Sequence, residues 1–190
     1  VVLNLYGVTF QANNAITDTA AAANATINVL ESSTNNGTID LLHTHGGAGE
    51  SKIIITDGQT FTQANTGAIS VTSITLGTST AGSELNATGA SVITANILAS
   101  AADKGTLDVD AATTIAGNIG DATNGILIIE IANGIVLTQN TGDTIKAKTI
   151  NFANATSELT VGAAATITGS LVADADGAGV LDVNAATTIT

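Results

Sequence analysis

The sequence predicts an all-β protein, a right-handed parallel β-helix (β-solenoid) with coils of about 22 residues. Three observations predict it. Apolar residues recur as an apolar-x-apolar pair with a third apolar residue six positions after the second, the alternation of a half-buried strand followed by a corner and a second strand. The pairs starting at 85, 107 and 129 are 22 residues apart, as are those at 159 and 181. Finally, proline is absent, and a stacked coil needs every strand to donate backbone hydrogen bonds to its neighbour.

Taken in chain order, Leu3, Leu5 and Phe10 open the pattern one residue short. "DTAAAANAT" (18–26) is the one stretch that resembles a helical turn, yet its flanks alternate like strands. The pattern then runs through Ile53, Ile55, Phe61 and, more weakly, Leu85, Ala87, Ile93. Leu107, Val109, Ile115 and Ile129, Ile131, Leu137 follow, then Leu159, Val161, Ile167 and Leu181, Val183, Ile189. The longer gaps, 53 to 85 and 129 to 159, each hold one more short strand pattern, "AISVTSI" and "TIKAKTI". Breaks such as "ADKG", "GDATNG" and "DADGAG" carry the Gly, Asn and Asp of tight corners. Stacked coils set like residues above one another, so Ile, Val and Leu form inward ladders. At roughly 4.8 Å per coil, eight or nine coils span on the order of 40 Å.

A longer period overlies the coils. Residues 83–115 align without a gap on 157–189, with 17 of 33 pairs identical, an offset of 74. "GTLDVDAATTI" (105–115) and "GVLDVNAATTI" (179–189) are its clearest copies. The chain therefore reads as a single continuous solenoid over 1–190, with long-repeat copies at approximately 1–48, 49–123 and 124–190 and three to four coils in each. A β-sandwich array of the same long period is the structural alternative, but 22 residues are too few for one sandwich.

Composition narrows the function classes. Aromatic residues make up 2%, so the core must be narrow and aliphatic. The net charge of -12, with four lysines and no arginine, repels phosphate backbones and disfavours nucleic acid. No apolar run is long enough to span a bilayer. The absence of cysteine removes disulfides, thiol catalysis and Cys-based zinc sites. With no methionine, an apolar start "VVLNL" and an end in mid-pattern, the chain is expected to be a segment of a longer protein.

"SELTVGAAATITGSL", "GTLDVDAATTIAGNI" and "GVLDVNAATTIT" resemble the repetitive passenger regions of bacterial autotransporters, above all those of rickettsial-type outer-membrane surface antigens. The resemblance covers most of the chain and lies in repeat style and composition. It implies an exported, cell-surface β-helical stalk that presents or supports adhesion, and it carries no catalytic residue.

Few residues stand out as chemistry. His43 and His45 in "LLHTHGGAGE" (41–50) would share one side of a strand, with Glu50 as a third metal ligand; a polar coil edge is the plainer alternative. Asp174 and Asp176 in "DADGAG" resemble the start of a calcium loop, although the downstream bidentate Glu is missing and a corner turn explains the pattern as well. Calcium is the one cofactor these patterns admit; otherwise none is expected. Asp108 and Glu130 share a phase in consecutive coils and should stack outward, where solvent screening is the default answer to their repulsion, with staggered coils or a bound cation as the alternatives. Asn-x-Thr occurs at Asn24, Asn36, Asn86 and Asn154, as often as chance places it. Carbohydrate-active β-helix enzymes use paired carboxylates with basic residues and aromatic platforms; this chain has no Arg or Trp and one Tyr, so catalysis is not expected.

The expected function is a non-enzymatic, extracellular stalk or adhesin passenger at a bacterial cell surface. The alternative is a self-assembling subunit of a filament, sheath or surface layer. Partners would be neighbouring repeats or subunits of the same protein and, for an adhesin, a host-cell surface or glycans.

Overall fold

The computed structural model describes residues 1–17, 24–42, 50–77, 82–141, 144–174 and 179–190. Within them are twenty strands and no helix, and every strand pairing is parallel. This is the stacked β-solenoid the periodicity requires, with eight or nine strands above one another on each side.

The registers resolve three faces, visited in turn. The first face stacks Val2–Leu5, Thr26–Val29, Lys52–Ile55 and 73–76, then 96–99, residue 119, 144–146, 165–168 and Thr187–Ile189. On the second lie Thr9–Phe10, Ser33–Asn35, Thr60–Gln63, Glu84–Ala87, 106–109, 128–131, 149–152 and 170–173. The third holds Ala15–Thr17, Thr38–Asp40, 69–70, 91–93, Thr113–Ala116, Val136–Thr141, Glu158–Val161 and Val180–Val183. "AISVTSI" and "TIKAKTI" are not separate short strands. They belong to Ile69–Leu76 and Thr144–Phe152, which bend over a corner and lend one half to each of two faces, as their shifted registers record.

Alternation does what period 2 demands. The first face carries one inward ladder, Leu3-Ile27-Ile53-Ile74-Ile97-Ile119-Ile145-Ile167-Ile189, in which eight successive rungs are isoleucine. β-branched side chains suit it, because they fill a pleated surface in few rotamers. Ile53, Phe61, Leu85, Leu107, Ile115, Ile129, Leu137, Leu159 and Ile167 are all fully buried. Each such side chain stabilises the fold by about 1.5–3 kcal/mol. Some polar side chains of the core pair with one another, as where Asn35 Nδ2 donates to Gln63 Oε1 at 2.7 Å and Gln63 Nε2 to the Gly67 carbonyl at 2.9 Å, whereas Gln139 Oε1 and Ser91 Oγ are buried without a hydrogen-bond partner. The serine that opens each of the aligned segments 83–115 and 157–189, Ser83 or Ser157, is buried at a corner; Ser83 Oγ accepts from Gly77 N at 2.6 Å and Ser157 Oγ donates to Ala132 O at 2.9 Å.

The 74-residue repeat is three full coils and one face more. From Leu107 the second-face ladder climbs through Ile129 and Ile150 to Leu171, and Leu181 lies one face beyond. Leu107 and Val109 thus sit on the second face, while their counterparts Leu181 and Val183 sit on the third. The copies also differ in cover. Leu107, Val109 and Ile115 are fully buried, whereas Val183 is 40% and Ile189 54% exposed on the last coil. Leu3, at 38%, is likewise open on the first coil.

Candidate functional site

The second face carries the most charged surface feature. Asn86, Asp108, Glu130 and Asn151 are successive rungs in register. Their neighbours Leu107, Val109, Ile129 and Ile131 point inward, so these four must point out. Asp110 follows at the end of its strand, where its backbone N donates to Ala87 O at 3.0 Å. Asp174 closes the group from the strand Ala165–Ala173: its N donates to Phe152 O at 3.1 Å and its Oδ2 accepts from Asn151 Nδ2 at 3.0 Å. Together Asp108, Asp110, Glu130, Asn151 and Asp174, with Ile131, Ala132 and Ala153, line a cleft of about 300 Å³.

Stacking carboxylates one strand spacing apart has an electrostatic cost. Partial burial, then the charges of Asp110, Glu84 and Glu130, push the Asp108 carboxyl up to about 6, against a smaller opposing effect from the Val109 N–H. Glu84, whose strand neighbour is Thr106, is raised as well, by burial first and then by Glu130 and Asp110. Solvent screening of the Asp108–Glu130 repulsion is therefore incomplete, because Asp108 is half-buried rather than free in water. The carbonyl oxygens Asn86 Oδ1 and Asn151 Oδ1, at the two ends of this run, are buried without a hydrogen-bond partner. Such a strip concentrates negative potential and exchanges a proton near pH 6. Among the described residues no group of three or more His, Cys, Asp or Glu converges on a position for a metal ion.

The structure unites two features that stand apart in the sequence, the Asp108–Glu130 stack and Asp174 of the calcium-like turn. Glu50 is remote from them in the chain, exposed ahead of Lys52–Ile55 with its N donating to Asn24 Oδ1 at 2.9 Å. His43, His45 and Asp176 lie outside the described residues. Sequence reasoning passed over Glu84, Asn86, Asp110 and Asn151. The 22-residue offsets from Asn86 to Asp108 to Glu130 were a usable signal; Asn151 escapes it because that coil is one residue shorter.

Fold and cleft together define a class, the three-faced parallel β-solenoid repeat proteins. Comparison with protein-family models, with curated proteins and with solved structures finds no match.

Proposed function

We propose that this chain is a non-enzymatic structural segment, a stalk or adhesin passenger on the outside of a bacterial cell. The observation that carries the reading is the unbroken isoleucine ladder of the first face, in register from Ile27 to Ile189. A continuous ladder of backbone hydrogen bonds and interlocked aliphatic side chains resists bending, which is what a spacer needs. The likeness of "GTLDVDAATTIAGNI" to autotransporter passenger repeats, and an acidic surface that stays soluble and avoids anionic lipid, point the same way. Among the described residues no helix is long and apolar enough to cross a membrane.

The test is a membrane-impermeant amine reagent applied to intact cells that make the protein. Labelling of exposed Lys148 on intact cells is expected; labelling only after lysis overturns the surface assignment. Binding of the isolated chain to host cells or glycans selects adhesin over spacer, and turnover of any member of a polysaccharide panel overturns the non-enzymatic assignment. A second reading is a self-assembling subunit of a filament, sheath or surface layer; constant mass of the purified chain in light scattering over a wide concentration range overturns it.

A further inference from the structure

Pairing is not equally dense along the first face. Most of its rungs are stretches of three or four paired residues, such as 73–76, 96–99 and 144–146. Between 96–99 and 144–146, in the interior of the stack, the rung is a single bridged residue, Ile119. Ile119 is fully buried, so the inward isoleucine ladder continues, but the backbone sheet around it narrows to one position. In the same coil the other two faces keep six-residue strands, Ile126–Ile131 and Val136–Thr141, each paired on both edges. One face of one interior coil is therefore thin while its neighbours are intact.

Side chains replace the missing backbone pairing. Asn118 N donates to Asn96 Oδ1 at 2.9 Å, and Asn118 Oδ1 accepts from Thr144 N at 3.1 Å, a relay through three coils. Past Ile119 the chain runs through a loop, 120–125, closed by Asp121 Oδ1, which accepts from Thr123 N and Asn124 N at 2.6 Å each. Lys146, one coil further on, straps this loop down. Its Nζ donates to Ala122 O at 2.9 Å and to Thr123 O at 3.1 Å. Gly120 and Gly125 are buried against its stem, where a Cβ would stand 3.0 Å from Lys146 Cβ in one case and Cγ in the other. Loop and lysine are thus fitted to each other. Ala122 and Thr123 are exposed, so water competes for the same ammonium and the strap is reversible.

A rung held by one bridge and by solvent-exposed side-chain bonds opens at a lower free energy than a rung of buried strand. When it opens, the second and third faces stay paired. A three-faced column released on one face bends at that coil, with the two intact faces as the pivot.

We propose that residues 117–125 form a hinge of the solenoid that opens on the first face and is held shut by Lys146. The inference goes beyond the stalk reading and does not depend on it. In a stalk it supplies one fixed place to flex in an otherwise stiff column.

The chain has no cysteine, so spin labels can be placed on introduced pairs. Thr75→Cys with Thr168→Cys spans the hinge on the first face through Leu98, Gly120 and Lys146. Thr60→Cys with Thr149→Cys spans the same coil on the second face through Glu84, Thr106 and Ile128. Both pairs are four rungs apart, about 19 Å at the usual strand spacing. A broad distance distribution is expected on the first face and a narrow one on the second. Lys146→Met keeps the stem and removes the ammonium; it should broaden the first-face distribution further and speed amide exchange over 118–124 several-fold. Lys148→Met removes the same charge from an exposed neighbour and should do neither. Equal widths on the two faces of the wild-type chain overturn the hinge, and exchange over 118–124 that Lys146→Met leaves unchanged overturns the strap. Neither result touches the surface assignment, which the labelling of intact cells decides separately.

Discussion

Residues 105–115 and 179–189 differ at two of eleven positions, Thr106/Val180 and Asp110/Asn184, yet live in different surroundings. The first copy runs from the second face to the third in mid-stack, with Leu107, Val109 and Ile115 sealed by coils above and below. The other runs from the third face to the first on the last coil, where Val183 and Ile189 are half open. The words therefore encode a strand, a corner and a second strand, not an address in the stack. Position supplies the burial.

The comparison is broken most forcefully in the core. Ile115→Ala should cost about 2–5 kcal/mol, the usual price of an aliphatic cavity, while Ile189→Ala should cost under about 1 kcal/mol because its site is already open to water. Urea denaturation midpoints decide it; equal costs would mean that the last coil is covered in solution.

The corner glycine is where the copies should agree. Gly105 and Gly179 both adopt left-handed φ, 75° and 86°, and a Cβ would collide with Leu76 in one case and Phe152 in the other. Alanine at either position should destabilise by about 1–3 kcal/mol, strain and overlap together. A loss at only one of the two would show that the corners are not built alike.

The smallest difference is electrostatic. Asp108 neighbours Glu130 along its ladder, whereas its counterpart Asp182 neighbours Thr160. The folded carboxyl of Asp108 titrates at about 6, above its ordinary 3.8, so between these values the folded state holds a proton that the unfolded chain has released. Its contribution is fully present below the unfolded value and is lost as pH rises toward 6. Asp108→Asn should remove that fall and raise stability at pH 7 by about 1 kcal/mol, after allowance for solvent screening. Asp182→Asn, at a rung whose ladder neighbour is Thr160, should change stability by no more than about 0.5 kcal/mol. Thermal melts from pH 4 to 8 separate the two, and a flat wild-type profile would remove the repulsion from the account.

Much of the fold was legible because burial in a parallel stack is periodic. Residue pairs such as Ile53/Ile55 and Leu159/Val161 declare an inward side without reference to anything distant. The faces were less legible, since the same pattern marks any two consecutive strands and coil length varies with each corner. The candidate site was legible only in part. Asp108 and Glu130 share a 22-residue offset, but the turn residue Asp174 reaches them through Asn151, whose 21-residue step from Glu130 breaks the arithmetic.

The sequence by itself determined the strand alternation, the coil size, the aliphatic ladder and the absence of proline from every hydrogen-bonded rung, because these are local requirements of a pleated, stacked backbone. Only the tertiary structure decided which face each copy of the repeat occupies, which carboxylates meet, and which ladder residues remain open. Those depend on summing every corner between two rungs, and one residue more or less in a coil changes what lies above what.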